Sequence, residues 1–230
     1  MVVKETGRFA GLAYLVVIVL SIPGYVTLTR LLNGDPHAVL ASLATSRTAF
    51  VLAVASSAIG FLAWIVLGAL LYRLMSSAGR VAGVCMVIFA IAGTAMNLIA
   101  LWQLLPLAGP SDSMDSAAFA SVVNGYKRLL QQAQLFSGLW LFPFGWLVVR
   151  SRVVPRVLGF CLILAGFFWL LQFATAFEPG LDRSLAFRIA SAPTGISVMI
   201  GEFGTCLWLL IRGARDPEAG ASTSRVAMPT

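Results

Sequence analysis

The stretch LFSGLWLFPFGWLVVRSRVVPRVLGFCLILAGFFWLLQFATAF, residues 135–177, decides the fold of this chain. It consists of two apolar runs on either side of a short basic segment that contains Arg150, Arg152 and Arg156. Each run approaches the roughly 20 residues that an α-helix needs to cross about 30 Å of hydrocarbon. Arginines are typical of the membrane surface, where a chain turns back. The stretch therefore predicts two membrane-spanning helices joined by a short turn.

The whole chain has the composition of an integral membrane protein. Of its 230 residues, 59% are hydrophobic and 11% are charged, and the mean hydropathy is +0.91. These values exceed what a soluble domain can bury. We predict an all-α, polytopic integral membrane protein with six transmembrane helices, over residues 10–28, 50–72, 81–105, 134–149, 157–177 and 192–211.

Two polar segments are predicted to start helices. In GDPHA, residues 34–38, Asp35 suits the N-cap position and Pro36 the first helical position. In SDSMDS, residues 111–116, the acidic residues cap the fourth helix. The amphipathic stretch 116–132 then continues into the fourth span, which predicts one long helix whose first half lies outside the hydrocarbon.

Similar motifs at the helix ends divide the chain into three successive helical hairpins. Each odd-numbered helix opens on a short motif, and these motifs are GRFAG (7–11), GRVAG (79–83) and PRVLG (155–159). The even-numbered helices end alike, at Arg73, Arg150 and Arg212. Internal repetition explains the similarity, and so does the general frequency of Gly inside membrane helices and Arg at their edges. The sequence leaves that choice open.

The distribution of Lys and Arg predicts the orientation. The side with both termini carries ten of these residues, and the opposite side carries six together with five acidic residues. The positive-inside rule therefore places both termini in the cytoplasm. The net charge of +7 belongs mostly to this topology, so no nucleic-acid partner is predicted. Residues 1–213 are predicted to form a single transmembrane domain, and residues 214–230 a disordered cytoplasmic tail.

Few kinds of chemistry have a signature in this sequence. The three cysteines lie inside apolar runs, which indicates small buried side chains and no disulfide framework. The single histidine, His37, argues against a histidine-based metal site, and no metal or cofactor is predicted. Paired-carboxylate motifs, the G-x-S-x-G elbow and a phosphate-binding Gly loop do not occur. Whether the protein is an enzyme stays open.

One carboxylate, Glu202, stands inside the apolar run MIGEFGTCLWLL, residues 199–210. It precedes Arg212 by ten residues, or about 15 Å of helix, which is the middle of a 30 Å core. A charge there costs roughly 2.5 to 3.5 kcal/mol or more, so Glu202 must face protein or a water-filled cavity. Three roles are open: a protonated, structural Glu202 bonded to a backbone carbonyl or to Asn97, a proton donor or ligand contact, and an ion pair. In the second hairpin, the residue that precedes the closing arginine, Arg150, by ten positions is Trp140.

Uncharged polar side chains are predicted to form a layer about 10 Å further from the cytoplasm than Glu202. Measured from their own arginines, Ser57, Asn97, Gln134 and Gln172 all lie at about 24 to 25 Å. The layer predicts an outward-facing polar cavity with Glu202 at its floor. Hydrogen bonds between helices are an equally good explanation for Asn97 and Gln134.

The fourth helix adds a polar stripe that descends from the outer loop, at Asn124, Lys127, Gln131, Gln134 and Gly138. Lys127 or Arg128 is placed to attract an anionic group at the cavity mouth. The alternative is that the stripe is the wet face of an interfacial helix. The candidate binding residues are Asn97, Gln134, Gln172, Lys127, Gln131 and Trp140.

The sequence also resembles a known family. The segments TGRFAGLAYLVVIV, residues 135–177 and GEFGTCLWLLIRGAR are similar to the bacterial six-helix membrane family of domain of unknown function 4386. The most specific element is the link RSRVVPRVLG, residues 150–159, where Arg152 stands in place of the family's usual small residue. Glutamines occupy QQAQ, residues 131–134, where the family often has a histidine. The glutamate of the family's last helix matches Glu202. The resemblance implies the fold and a bacterial inner-membrane location, and it supplies no activity.

Two classes of function follow as hypotheses. The first is a non-enzymatic membrane protein, surrounded by the lipid bilayer, that binds or moves a small apolar or amphipathic ligand through the outward-facing cavity. The second is a membrane-embedded isomerase, cyclase or lyase in which Glu202 donates a proton to an apolar substrate. In the second case Asn97 and Gln134 position the substrate, and tryptophans stabilise a cationic intermediate, the candidates being Trp102, Trp140 and Trp169. We favour the first class, because the sequence shows no catalytic partner for Glu202.

Overall fold

The computed structural model describes residues 2–109, 115–175, 177–178 and 180–214, and these residues form helices and no β-strand. Six of the helical spans are long and apolar enough to cross a membrane, which confirms the predicted all-α, six-span architecture. The sixth span is continuous but contains a π-helical turn, Met199–Phe203. The helices are α1 (Val2–Leu31), α2 (Pro36–Met75), α3 (Arg80–Gln103), α4 (Ser116–Ser151), α5 (Arg156–Ala174), α6 (Leu185–Val198) and α7 (Gly204–Arg212).

The helices pack as a closed ring of three hairpins, as the end motifs predict. Helix α1 packs along α2, α3 along α4 and α5 along α6, while α2 contacts α3 and α4 contacts α5 across the hairpins. Helix α7 closes the ring against α1. We call the end where α1 begins and α7 ends the proximal end, and the end where α1 passes into α2 the distal end.

Both predicted helix starts are confirmed in the described part of the chain. The Asp35 carboxylate accepts hydrogen bonds from the backbone N–H groups of His37 and Ala38, at 3.1 and 3.2 Å, and Pro36 opens α2. The Asp115 carboxylate caps α4 by accepting the Ala118 N–H at 2.7 Å. These caps satisfy donors that the first helical turn leaves unpaired. The remainder of the SDSMDS segment before Asp115 and the tail from residue 215 lie outside the described residues.

The two longest helices extend far beyond the roughly 30 Å of the hydrocarbon. Helix α2 has 40 residues and α4 has 36, which correspond to about 60 and 54 Å of helix. The prediction of one long fourth helix is therefore confirmed, and α2 behaves alike, with a kink at Ser46. Their distal ends pack together, because Val39 and Leu43 of α2 share a buried apolar cluster with Phe119 and Val123 of α4.

The turn between α4 and α5 has an unusual backbone. Arg152 follows the last residue of α4 with a φ of 57°, in the left-handed region where glycine is the common choice. Val153 and Val154, which come next, are almost completely buried, with exposed fractions of 1% and 0%. The left-handed residue thus turns the chain back while two apolar side chains anchor the turn in the core.

Helices α4 and α5 approach each other at two pairs of glycines. A Cβ atom on Gly145 would lie 2.6 Å from the carbonyl oxygen of Gly159, and one on Gly138 would lie 2.9 Å from that of Gly166. Both pairs are seven residues apart on each helix, so the antiparallel helices meet backbone to backbone over two turns. Small residues permit this approach, which drives association of membrane helices through van der Waals packing.

Candidate functional site

Glu202 lies in the π-helical turn Met199–Phe203, between α6 and α7. A π turn accommodates an extra residue in a helix and disturbs the regular backbone ladder, and such turns occur frequently at functional sites. At the end of the π turn, the backbone N–H of Gly204 donates to the carbonyl oxygens of Ile200 and Gly201. The only carboxylate of the sixth span's apolar run therefore coincides with the one irregular turn of that span.

Two aromatic side chains hold the Glu202 carboxylate. The Tyr14 hydroxyl donates to Oε2 at 3.3 Å, and the Trp169 indole Nε1–H donates to Oε1 at 3.4 Å. Both hydrogen bonds are longer than the usual 2.7 to 3.2 Å, and both donors are uncharged. The Glu202 side chain is half-buried. Each oxygen thus accepts one long hydrogen bond from an uncharged donor.

Glycines bring the three helices of this site together. A Cβ atom on Gly201 would lie 2.9 Å from the backbone nitrogen of Leu162 in α5. A Cβ atom on Gly11 would lie 2.8 Å from the carbonyl carbon of Leu209 in α7. The sixth span is therefore pressed between α5 on one side and α1 on the other, which brings Trp169 and Tyr14 to the same carboxylate.

An aromatic cluster continues from Tyr14 into the middle of the ring. The centroid of the Tyr14 ring lies 6.4 Å from those of both Trp140 and Phe144, and these two stack on each other at 5.1 Å. Trp64 meets Trp140 edge to face at 5.3 Å. The Trp64 Nε1 atom is buried and has no hydrogen-bond partner. These rings are almost completely buried, so they form an apolar and polarisable part of the core next to the carboxylate, with one unpaired donor inside it.

The packing of the ring changes at the level of this site. The buried residues of α5, from Gly159 to Gly166, all lie on the proximal side of Trp169. In α6, which forms the distal part of the sixth span, only Phe187 and Ser197 are buried. A buried apolar cluster fills the distal half of the ring. Its described residues belong to helices α1 to α4 and to the turns that follow α1 and α3. On the distal side of Glu202, helices α5 and α6 therefore contribute few residues to the buried core.

Of the six predicted binding residues, the structure brings Trp140 next to the Glu202 site, through its contact with Tyr14. Asn97 is buried, and its amide donates to the Gly93 carbonyl of its own helix at 2.8 Å, whereas the hydrogen bonds to Glu202 come from Tyr14 and Trp169. Gln134 has a buried Oε1 atom without a hydrogen-bond partner.

The remaining three predicted residues lie towards the distal end of α4 and α5. The Gln131 Nε2 donates to the Thr175 hydroxyl at 2.7 Å, which joins α4 to the end of α5. Gln172 is half-buried, and its backbone carbonyl accepts the same Thr175 hydroxyl at 2.7 Å. Lys127 is exposed.

Sequence reasoning missed Tyr14 as a partner of Glu202. A usable signal exists, because Gly7, Gly11 and Tyr14 are spaced by four and three residues and so share one face of α1. Trp169 was predicted as a stabiliser of a cationic intermediate, and it is found on the carboxylate itself. Trp102 is 72% exposed on α3. Among the residues that the structure describes, no three His, Cys, Asp or Glu side chains converge in a way that would hold a metal ion.

The comparison with known families agrees with the sequence resemblance. The family described as Domain of unknown function (DUF4386) matches residues 9–213, which include all three hairpins and the Glu202 site. The chain belongs to this family. Comparison of this DUF4386 protein with curated proteins and with solved structures gives no match.

Proposed function

We propose that this protein binds or moves a small, partly apolar molecule, with Glu202 as the polar contact at the floor of an outward-facing cavity. The observation that carries the proposal is the Glu202 carboxylate itself, half-buried in a π turn and held only by long bonds from Tyr14 and Trp169. An intramembrane acid without a cationic partner is expensive to keep, which favours a functional role.

The surroundings of Glu202 favour a ligand with two parts. A hydrogen-bond donor or a cationic group of the ligand meets the carboxylate, and an apolar part meets the half-buried ring of Trp169, with the buried rings of Tyr14 and Trp140 behind it. Small-molecule sites commonly combine apolar walls with a few polar groups in this way. We infer that the ligand enters from the distal side, where α5 and α6 contribute few residues to the buried core.

A membrane-embedded isomerase, cyclase or lyase is the second candidate, and one contact favours it. The Tyr14 hydroxyl bonds Glu202, so a second proton-carrying group stands beside the acid. Under this alternative Glu202 donates a proton to an apolar substrate and Tyr14 orients the acid. Tyr14→Phe would then lower turnover more than ligand binding, whereas in a pure binding protein it changes binding alone.

Access to Glu202 is testable with an apolar carboxyl reagent. Dicyclohexylcarbodiimide, added to the purified protein in maltoside micelles, is expected to modify Glu202, because the proposed cavity would admit a small apolar reagent to this half-buried residue. Peptide mass spectrometry locates the adduct, and Glu202→Gln provides the blank. Glu5 and Glu178, which are exposed, report the reaction of ordinary carboxylates. An unmodified Glu202 beside a modified Glu178 would contradict the proposed cavity.

We further propose that both termini lie in the cytoplasm of a bacterial inner membrane. The proximal side carries the larger share of Lys and Arg, which supports this orientation. The matched variants Glu178→Cys at the distal end and Ser77→Cys at the proximal end place a thiol at exposed positions. In intact cells an impermeant maleimide is expected to label the first variant only, and the second after permeabilisation. The reverse pattern would overturn the orientation.

A further inference from the structure

A concave feature lies away from Glu202, between α3, α4 and α5 towards the distal end. It is an open cleft of about 620 Å³ whose apolar walls are formed by Met96 of α3, Leu135 and Phe136 of α4, and Phe173 of α5. Its volume falls within the range of 300 to 1,000 Å³ that is usual for ligand sites. Neither Glu202 nor its partners line it. The cleft is therefore a separate candidate site.

The α4 wall of the cleft changes in polarity along the helix. Arg128 stands at its distal end, the amides of Gln131 and Gln132 follow, and Leu135 and Phe136 complete it. The spacing of three and four residues places all five side chains on one face. The wall thus presents a cation, then hydrogen-bonding groups, then an apolar surface. This order is complementary to an anionic amphiphile, which has a negative group, then polar groups, then an apolar chain.

The depth of this wall matches the depth of lipid groups. Arg128 precedes Arg150 by 22 residues, or about 33 Å of helix, which exceeds the hydrocarbon thickness and reaches the distal headgroup level. Leu135 lies about 22 Å from Arg150 and therefore within the hydrocarbon. The Gln131–Thr175 hydrogen bond fixes the α4 side of the cleft to the end of α5.

We propose that this cleft binds an anionic phospholipid of the surrounding bilayer. The lipid phosphate pairs with the exposed guanidinium of Arg128, which is the cation lining the cleft. One acyl chain lies between Leu135, Phe136 and Phe173. The apolar walls disfavour a free inorganic anion, and Arg128 disfavours an uncharged lipid. Phe177, which also lines the cleft, is 76% exposed, and we expect a lipid to enter past this side chain from the bilayer.

The chain offers a matched control for the test. Lys127 is the neighbour of Arg128, carries the same charge and is exposed, but it does not line the cleft. Phosphatidylglycerol and phosphatidylcholine are titrated into the purified protein in maltoside micelles, and bound lipid is counted by native mass spectrometry. Wild type is expected to prefer phosphatidylglycerol about fivefold, the effect of one basic residue near an anionic headgroup.

Arg128→Gln is expected to abolish the preference, Arg128→Lys to retain most of it, and Lys127→Gln to leave it unchanged. Leu135→Trp fills the cleft and is expected to reduce the binding of both lipids, with an unchanged thermal midpoint as the folding check. A wild type without preference would overturn the proposal. So would equal losses in Lys127→Gln and Arg128→Gln, which would indicate general charge attraction. Displacement of phosphatidylglycerol by oleate at a lower concentration would assign the cleft to a free fatty acid instead.

Discussion

Glu202→Ala is expected to lower the thermal unfolding midpoint of the protein in maltoside micelles, because it removes the acceptor shared by two aromatic donors. The Tyr14 hydroxyl and the Trp169 Nε1–H both end at this carboxylate. A buried donor that loses its partner costs about 1 to 3 kcal/mol of the free energy of unfolding. The smaller side chain also leaves a void between α5 and α1. A decrease of this size is readily measured by differential scanning fluorimetry.

Glu202→Gln is the matched control for the alanine variant. Its amide oxygen can accept from Trp169 and its amide nitrogen can donate to the Tyr14 oxygen, so both contacts survive without a titratable group. The glutamine variant is expected to keep the wild-type midpoint but to lose carbodiimide modification and any cellular phenotype that depends on the acid. If the Glu202→Ala variant has the wild-type thermal midpoint, the two hydrogen bonds to Glu202 add nothing to the stability of the protein. If glutamine also keeps the wild-type phenotype, the role of Glu202 is structural and the proposed function is wrong.

Gly11→Ala is expected to open the contact between α1 and α7. The new Cβ would lie 2.8 Å from both the Leu209 carbonyl carbon and the Leu210 Cα, and these are backbone atoms that cannot rotate away. The helices must therefore separate, and overpacking of this kind costs about 1 to 3 kcal/mol. The same movement draws Tyr14 away from Glu202. The expected result is a lower thermal midpoint together with faster carbodiimide modification of Glu202.

Gly125→Ala is the matched control for Gly11→Ala. It tests whether a lower thermal midpoint comes from the contact between α1 and α7 or from replacing any helical glycine by alanine. A Cβ there would lie 3.6 Å from the Gln103 Oε1 atom, which is an ordinary contact. Alanine favours a helix over glycine by about 1 kcal/mol, so this variant is expected to be as stable as the wild type or more so. A Gly11→Ala variant with the same behaviour would show that α1 and α7 tolerate a wider separation.

Much of the fold could be predicted because it depends on local composition. The apolar runs predicted the six spans, and Asp35 with Pro36 predicted the start of α2. The arginines at the helix ends predicted the three hairpins. Counting residues from those arginines also placed Trp140 level with Glu202, and the structure joins the two through Tyr14. Depth in a membrane follows from the fixed rise of a helix, so one dimension of the site was available from the sequence.

The contacts within the site could not be predicted in this way. Tyr14 and Glu202 are separated by 188 residues, and their meeting depends on how α1 and the sixth span rotate and close against each other. The π turn depends on a local change in backbone hydrogen bonding that no residue of MIGEF requires. The Asn97 amide donates to the Gly93 carbonyl of its own helix, which its position along the chain alone does not reveal.

The sequence by itself determined that this protein has six helical spans, where they turn, and that one carboxylate stands inside the apolar run of the last of them. The reason is that apolar length, helix caps and charged edges act within a single segment. The tertiary structure decided which side chains hold that carboxylate and which face of α4 lines a separate cleft. These depend on helix rotation and close approach, which are set by glycine contacts between distant segments such as Gly11 with Leu209 and Gly201 with Leu162.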